Sequence, residues 1–409
     1  MADLALPTLG VDWLSDEYNL PEGAVRVARN VDLRRNGTFR RRDGYTQAIA
    51  GDGFHGLATT SRGVLVARFG RLFALDVPTM EPTQLIDLGG ESPVDFTEHN
   101  GDVYAINDTG FAWIPRDADT ARPVGVRPPL AIPALEAADT GALVPGEYAV
   151  AISRLDDRGE ESPTVYCGRV STGAGIRLVG MAPDLGAQLR VYLTSPGGEV
   201  LYLAETFSAA FTSYVVTRQP DGAQRTSQHM TPLPGGQFVR GHAGRLYVAR
   251  DDLLLFSDAL RPRLYDPRHN FIRFTGPIRL LEPVTGGLFV GDDRGVWFLP
   301  GNEPAQFSLS LASKAQAVAR SSVIVSGKDV NKDWASSDQK VAMWLSADGY
   351  MLGRSDGAVV PLTAERVRVA ADMQGRTVFV ARNGIKQVIT LVAATAPSGF
   401  GVASDSPLQ

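Results

Sequence analysis

The feature that most constrains the fold is a hairpin pattern that recurs along the chain. Each unit has an apolar run, a polar turn of two to four residues and a second apolar run, which is typical of a β-hairpin. A single hairpin cannot bury its apolar face, whereas hairpins packed side by side cover one another. The units that follow this pattern are Arg62–Asp76, Gly101–Pro115, Gly244–Asp258, Gly286–Pro300, Val341–Leu362 and Arg376–Val392.

The spacing of these units predicts how they pack. Several are separated by roughly 35–50 residues, the repeat length of four-stranded propeller blades. Blades packed around an axis would cover one another and leave only short exposed edges. We therefore predict an all-β fold, a β-propeller of six to seven blades. The alternative is a β-sandwich of unrelated hairpins, because the units share a pattern and not identical residues.

The series of hairpins is interrupted between Arg127 and Leu233, where proline-rich and glycine-rich stretches flank a different pattern. There, Tyr148, Val150 and Ile152 alternate on one face, as in a half-buried strand. The interval resembles a fibronectin type III module of roughly 100 residues, a β-sandwich inserted into a propeller loop. The predicted division is an N-terminal part of the propeller at 1–126, the inserted sandwich at 127–233, a C-terminal part of the propeller at 234–395 and a tail at 396–409.

Composition limits the class of protein. The chain has 409 residues, 44% of them hydrophobic, and a net charge of -5, so we expect a globular protein and not a basic nucleic-acid coat. No apolar run approaches the roughly 18 residues of a membrane span, and the first residues lack the pattern of a secretory signal. Cys167 is the single cysteine, which excludes an intramolecular disulfide and fits synthesis in a reducing cytosol.

Motifs for catalysis, cofactors and metals are missing from the sequence. It has neither a glycine-rich phosphate loop nor a Gly-x-Ser-x-Gly elbow, and its five histidines lack metal-ligand spacing. Asp329–Trp334 imitates the start of a calcium loop, but Trp334 stands where glycine is needed and Lys340 where glutamate is needed. The pairs Asp251–Asp252 and Asp292–Asp293 lie in turns, where aspartate caps its own backbone. We expect no enzyme, no cofactor and no bound metal.

An arginine-rich hairpin spans Asn30–Tyr45. Its Asn36–Gly37 pair predicts a two-residue type I′ turn, in which both residues adopt positive φ. The cations around this turn favour either a solvated strand edge that resists aggregation or a contact surface for an acidic partner or a DNA backbone. We call the candidate interface the arginine hairpin; it consists of Arg34, Arg35, Arg40, Arg41 and Arg42.

Three stretches, Leu20–Tyr45, Gly241–Phe274 and Gly286–Pro304, resemble the tail nozzle or tail hub proteins of short-tailed bacteriophages, including their tail tubular proteins. The resemblance implies a structural virion protein, made in the bacterial cytoplasm and located in the tail. Proteins of this family are β-propellers that assemble as a homo-oligomeric ring, typically a hexamer, below a portal and a head-to-tail adaptor. Such a ring is the distal channel and gate through which viral double-stranded DNA leaves, and tail fibres or spikes attach nearby.

In such a ring, the arginine hairpin is expected to bind carboxylates of a neighbouring subunit or of the adaptor, because the planar guanidinium group binds carboxylate bidentately. A cationic lumen would retard DNA by phosphate contacts, so we expect the arginines to lie mostly off it. Two other functions stay open. A carbohydrate- or receptor-binding propeller at the tail tip needs exposed aromatic faces, and a propeller hydrolase needs paired carboxylates. Trp113, Trp297 and Trp344 lie in apolar strands, which favours core packing.

Overall fold

The computed structural model describes residues 8–33, 36–42, 44, 46–225, 229–259, 261–363, 366–370, 372–382 and 385–394. Across these ranges the chain is all-β, with 49% strand and 2% helix, as predicted. The helical residues form two single 3₁₀ turns, at Pro304–Gln306 and Gly327–Asp329. No helix in the described ranges is long and apolar enough to cross a membrane.

Short strands precede the first large sheet. The first two pair in parallel, and the next two form the antiparallel arginine hairpin. Their bounds are β1 (Gly10–Val11), β2 (Ala24–Val25), β3 (Val31–Leu33) and β4 (Phe39–Arg41).

Sheets 1 and 2 are four-stranded antiparallel meanders in which each strand pairs with the next along the chain. In sheet 1 the central turn is tight because Phe69 and Gly70 have φ values of 48° and 73°, as a type I′ turn requires. Sheet 1 contains β5 (Phe54–Thr60), β6 (Gly63–Arg68), β7 (Arg71–Asp76) and β8 (Glu81–Asp87). Sheet 2 contains β9 (Asp95–His99), β10 (Asp102–Ile106), β11 (Phe111–Ile114) and β12 (Arg122–Pro123).

The inserted segment forms a sandwich of two sheets, which lies within the predicted interval. One sheet has the order β13-β16-β19 and the other β15-β14-β17-β18. Tyr148, Val150 and Ile152 are fully buried between them and pack with Ile176 and Leu178 of the facing sheet. The strands are β13 (Ala134–Ala138), β14 (Gly146–Leu155), β15 (Val165–Thr172), β16 (Gly175–Val179), β17 (Gln188–Leu193), β18 (Tyr202–Ser208) and β19 (Ser213–Val216).

Sheets 3, 4 and 5 continue the meander pattern after the insert, and a two-stranded sheet 6 ends the series. A short pair, β20 (Thr231–Pro232) with β24 (Leu264–Tyr265), flanks sheet 3. Sheet 3 contains β21 (Phe238–His242), β22 (Arg245–Arg250), β23 (Leu253–Phe256) and β25 (Phe271–Arg273). Sheet 4 contains β26 (Leu280–Val284), β27 (Gly287–Asp292), β28 (Gly295–Pro300) and β29 (Ser310–Ser313). Sheet 5 contains β30 (Val323–Ser326), β31 (Lys340–Ser346), β32 (Gly349–Gly353) and β33 (Val359–Pro361). Sheet 6 contains β34 (Met373–Arg382) and β35 (Ile385–Ala394).

The first strands of successive sheets contact one another. Strand β9 contacts β5 and β21, β21 contacts β26, β26 contacts β30, and β30 contacts β34. Behind these inner edges the sheets pack face to face through apolar side chains; Phe289 of sheet 4, for example, meets Trp344 of sheet 5 with ring centroids 5.5 Å apart. Apolar burial of this kind contributes about 25 cal/mol per Å² and is the main energy that joins the sheets.

All six hairpins predicted from the sequence are present, and five of them contribute the two central strands of a four-stranded sheet. The outer strands were not predicted. Strand β8, for example, is mostly exposed and polar, so it carries no alternation of apolar residues.

Candidate functional site

The tip of the arginine hairpin lies only partly within the described residues, because Arg34 and Arg35 are outside them. Strands β3 and β4 pair Leu33 with Phe39. Gly37 has a φ of 79°. Oδ1 of Asn36 accepts hydrogen bonds from the backbone N–H of Thr38 at 3.1 Å and from its hydroxyl at 2.7 Å. Asparagine is favoured in turns for such bonds to nearby backbone, and the two-residue turn itself stays a prediction.

The arginine hairpin places its described cations at the surface. Arg40 and Arg41 lie exposed on β4, whereas Arg34 and Arg35 lie outside the described residues. Nε of Arg42 donates to Oδ1 of Asp32 at 2.9 Å across the hairpin. A solvent-exposed ion pair of this kind contributes only about 0–1 kcal/mol to stability.

A buried ion cluster joins the inner strands of sheets 2, 3 and 4, and we call Asp95, Arg240 and Glu282 the axial clamp. Nη1 of Arg240 donates to Oδ2 of Asp95 at 2.5 Å. Its Nε and Nη2 donate to the two oxygens of Glu282 at 3.0 and 2.8 Å, a bidentate pair. The backbone N–H of Val239 also donates to Asp95, and the hydroxyl of Ser322, just before β30, donates to Glu282.

The two carboxylates of the axial clamp are buried. Glu282 is only 2% exposed and Asp95 only 8%. Burial opposes the charge on Arg240, but the carboxylates of Asp95 and Glu282 outweigh it and raise the pKa of its guanidinium above the ordinary value. A buried charge without its partner is strongly unfavourable. Each carboxylate therefore restrains the position of Arg240, and Arg240 restrains the positions of both carboxylates.

A second ionic contact docks the inserted sandwich on sheet 2, through the loop that connects β14 and β15. Arg122 of β12 donates from Nη1 and Nη2 to the two oxygens of Asp157, each at 2.7 Å. The same pairing lowers the pKa of Asp157 to about 2. Nη2 of Arg158 donates to Asp117 at 2.7 Å. Bidentate pairing fixes orientation as well as distance, so this loop determines the orientation of the sandwich relative to sheet 2.

Trp113 of sheet 2 lies at the centre of this junction. The guanidinium of Arg263 lies 3.8 Å from the centroid of its ring and that of Arg158 lies 5.6 Å away, both within the range of cation–π contacts. Arg263 also pairs with Glu160 of the sandwich loop and, at 3.3 Å, with Asp102 of sheet 2. We call this set of contacts the sandwich junction.

The aspartates in the predicted turns have structural partners. Asp292 accepts a hydrogen bond from the hydroxyl of Thr275 at 2.7 Å, and Asp293 pairs with Arg279 at 2.8 Å. Asp252 pairs with the exposed Arg273. These three carboxylates therefore bind neighbouring side chains of their own sheets and turns.

The calcium-like loop also has a local explanation. Asp329 pairs with Lys386 of β35 at 3.0 Å, and the side-chain amide of Asn331 donates to Asp333 at 3.1 Å. Both contacts use groups that a cation would need as ligands. Among the described residues no group of three or more histidine, cysteine, aspartate or glutamate side chains could hold a metal ion.

The tryptophans do not form a surface platform. Trp113 and Trp344 are buried in sheet interfaces, and Trp297 is partly buried against the core of sheets 3 and 4. Trp334 packs partly on the core of sheet 5, and Trp13, at 56%, is well exposed. Packing explains the three strand tryptophans, as the apolar pattern indicated.

No protein-family model matches the chain, and no curated protein matches its sequence. It is similar to a solved crystal structure of BBS1N in complex with ARL6DN, at 11% identity and a TM-score of 0.30, covering 80% of this chain and 84% of that one. A crystal structure of puromycin hydrolase matches at 17% identity and a TM-score of 0.27, covering 92% of this chain and 56% of that one. The WD40 beta propeller domain of Doa1 matches at 13% identity and a TM-score of 0.18, covering 77% of this chain and 95% of that one. Similarities this weak assign no function.

We expect Arg240→Met to lower the free energy of unfolding by about 3–5 kcal/mol, because it leaves two buried carboxylates without their cation. Urea unfolding followed by tryptophan fluorescence measures the change. Adding Asp95→Asn and Glu282→Gln to the same chain should recover part of the loss, since no uncompensated charge remains.

The control for this prediction is Arg273→Met on β25 of the same sheet. Arg273 pairs with Asp252 at the surface, and such a pair contributes about 0–1 kcal/mol. If Arg240→Met and Arg273→Met cost the same, the axial clamp does not hold the sheets together.

We expect the double variant Asp157→Asn and Glu160→Gln to loosen the sandwich junction. Thermolysin should then cleave the connecting segment faster, at Leu130 and Ile132, which are exposed apolar sites. A loss of about 1 kcal/mol corresponds to roughly fivefold faster cleavage. The charge-matched control, Asp139→Asn with Glu199→Gln, changes exposed carboxylates elsewhere on the sandwich and should leave the rate unchanged. Equal rates in both double variants would contradict the docking role.

Proposed function

We propose that the chain is a structural protein of a phage virion that forms the distal tail nozzle ring of a short-tailed phage. In this proposal the ring is a homo-oligomer, a hexamer by family resemblance, that contacts a head-to-tail adaptor and carries tail fibres or spikes. Viral double-stranded DNA passes through its lumen, which the ring gates until ejection.

The proposed architecture is a six-bladed β-propeller with an inserted fibronectin type III-like sandwich. The order of contacts between the first strands of the sheets supports a radial arrangement, since each inner edge meets the next. Sheet 6 is the two-stranded last blade. The seven strands of the insert, in sheets of three and four, are the number that a constant-type immunoglobulin sandwich has.

The observation that carries the proposed function is the surface of the arginine hairpin. It lies within Leu20–Tyr45, one of the stretches that resemble the nozzle family. Phe39 is 68% exposed there and is followed by exposed Arg40 and Arg41. Aromatic and arginine side chains are enriched in protein interfaces, so this exposed set suits a contact with another protein.

The direct test is immunogold electron microscopy of virus particles from the source lysate, with an antibody raised against this chain. Label confined to the distal end of a short tail is the expected result. Particles that never label, with the protein free in the lysate, would remove the virion assignment. The carbohydrate- or receptor-binding propeller and the propeller hydrolase would then be the functions to test.

We expect the triple variant Arg40→Gln, Arg41→Gln and Arg42→Gln to impair ring assembly, because it removes guanidinium groups that bind carboxylates of the neighbouring subunit or adaptor. Negative-stain microscopy and sedimentation of the chain with its adaptor count the rings. The charge-matched control replaces three exposed arginines elsewhere, namely Arg177, Arg250 and Arg294.

Two results would contradict this placement. Rings that form equally in the arginine hairpin variant and its control would show that these side chains do not support assembly. Normal rings with abnormal DNA ejection would place the arginines on the path of the DNA instead.

A further inference from the structure

A cleft of about 330 Å³ lies between sheets 4 and 5, near their outer edges. Met351 of β32 and Val359 and Pro361 of β33 line one side of it, and Ala312 and Ser313 of β29 line the other. Clefts that bind small molecules have volumes of about 300–1,000 Å³ and mostly apolar walls. This cleft is therefore large enough, and apolar enough, for a small ligand.

The cleft exists because the outer strand of sheet 4 presents small side chains to sheet 5. On the second strands of the two sheets, Phe289 and Trp344 fill the space between them. Farther out, β29 has a bulge between Leu311 and Ser313, which leaves Ala312 without a pairing partner on β28. A bulge changes the direction of side chains and is common beside functional sites. The space that aromatic rings occupy near the inner edges is thus left open at the outer ones.

One cation and one anion line the same end of the cleft. Lys314 follows β29, Asp348 lies in the turn between β31 and β32, and both side chains are exposed. Their segments are held together because Ala317 forms an antiparallel bridge with Ser346. Within the described ranges, neither the ammonium group of Lys314 nor the carboxylate of Asp348 makes a hydrogen bond or an ion pair. Both charges are therefore available to a ligand in the cleft.

We propose that this cleft binds a small zwitterion with an apolar body, the chemistry of a free apolar α-amino acid. Lys314 donates to the carboxylate of the ligand, and Asp348 accepts from its ammonium group. The apolar body lies against Met351, Val359 and Pro361. Asp348 repels a simple carboxylate and Lys314 repels a simple cation, so the pair selects a ligand that carries both charges. This inference does not depend on the proposed virion function.

The experiment measures thermal unfolding of the full chain with L-leucine at about 10 mM, because a ligand that binds the folded state raises Tm. Two analogues at the same concentration separate the contributions. Glycine carries both charges but no apolar body, whereas N-acetyl-L-leucine amide carries the apolar body but neither charge. L-leucine should raise Tm, and neither analogue should do so. Isothermal titration with L-leucine then gives Kd.

Lys314→Gln and Asp348→Asn should each raise the Kd for L-leucine by about tenfold or more, since each removes a hydrogen bond between charged groups. Both side chains are exposed, so both variants are expected to fold. The matched controls are Lys332→Gln and Asp338→Asn, which make the same changes of charge at exposed positions between β30 and β31. These controls should leave the Kd unchanged.

Three results would overturn the proposal. One is a Tm that L-leucine leaves unchanged. Another is an equal rise of Tm with L-leucine and with either analogue, which would show that the charges or the apolar body do not contribute. The third is binding of L-leucine by Lys314→Gln and Asp348→Asn with the Kd of their controls.

Discussion

The inner edges of sheets 2, 3 and 4 meet at Arg240, whose guanidinium donates to Asp95 on one side and to both oxygens of Glu282 on the other. Apolar contacts between the sheets supply most of the energy of association, but they are tolerant of small displacements. The axial clamp is not, because a shift of either neighbouring sheet would leave a buried charge without its partner. The mutual orientation of the first strands of sheets 2, 3 and 4 therefore depends strongly on this side chain.

The sandwich junction applies the same principle where two units of different architecture meet. Bidentate pairing of Arg122 with Asp157, and the stacking of Arg263 on Trp113, give the contact a defined direction. These groups are more exposed than the axial clamp, so their contribution is smaller and falls with ionic strength. A rise in ionic strength should therefore weaken the contacts that position the insert before it unfolds the sheets.

The distribution of charge separates structural from interacting surfaces. Acidic turn residues such as Asp292 and Asp293 are occupied by local partners, which leaves no convergent pair for acid–base chemistry among them. In the arginine hairpin, Phe39, Arg40 and Arg41 lie exposed at the surface, and Arg42 pairs with Asp32.

Local pattern alone determined the all-β class and the central hairpins, because turn chemistry and apolar alternation act over about fifteen residues. It also indicated that Trp113 and Trp344 are core residues. Only the tertiary structure decided which strands form the edges and that Asp95 meets Arg240 across 145 residues of sequence. Nothing in the residues around Asp95 or Arg240 distinguishes them from ordinary surface charges. Their partners are set by the packing of whole sheets, and no short segment contains that information.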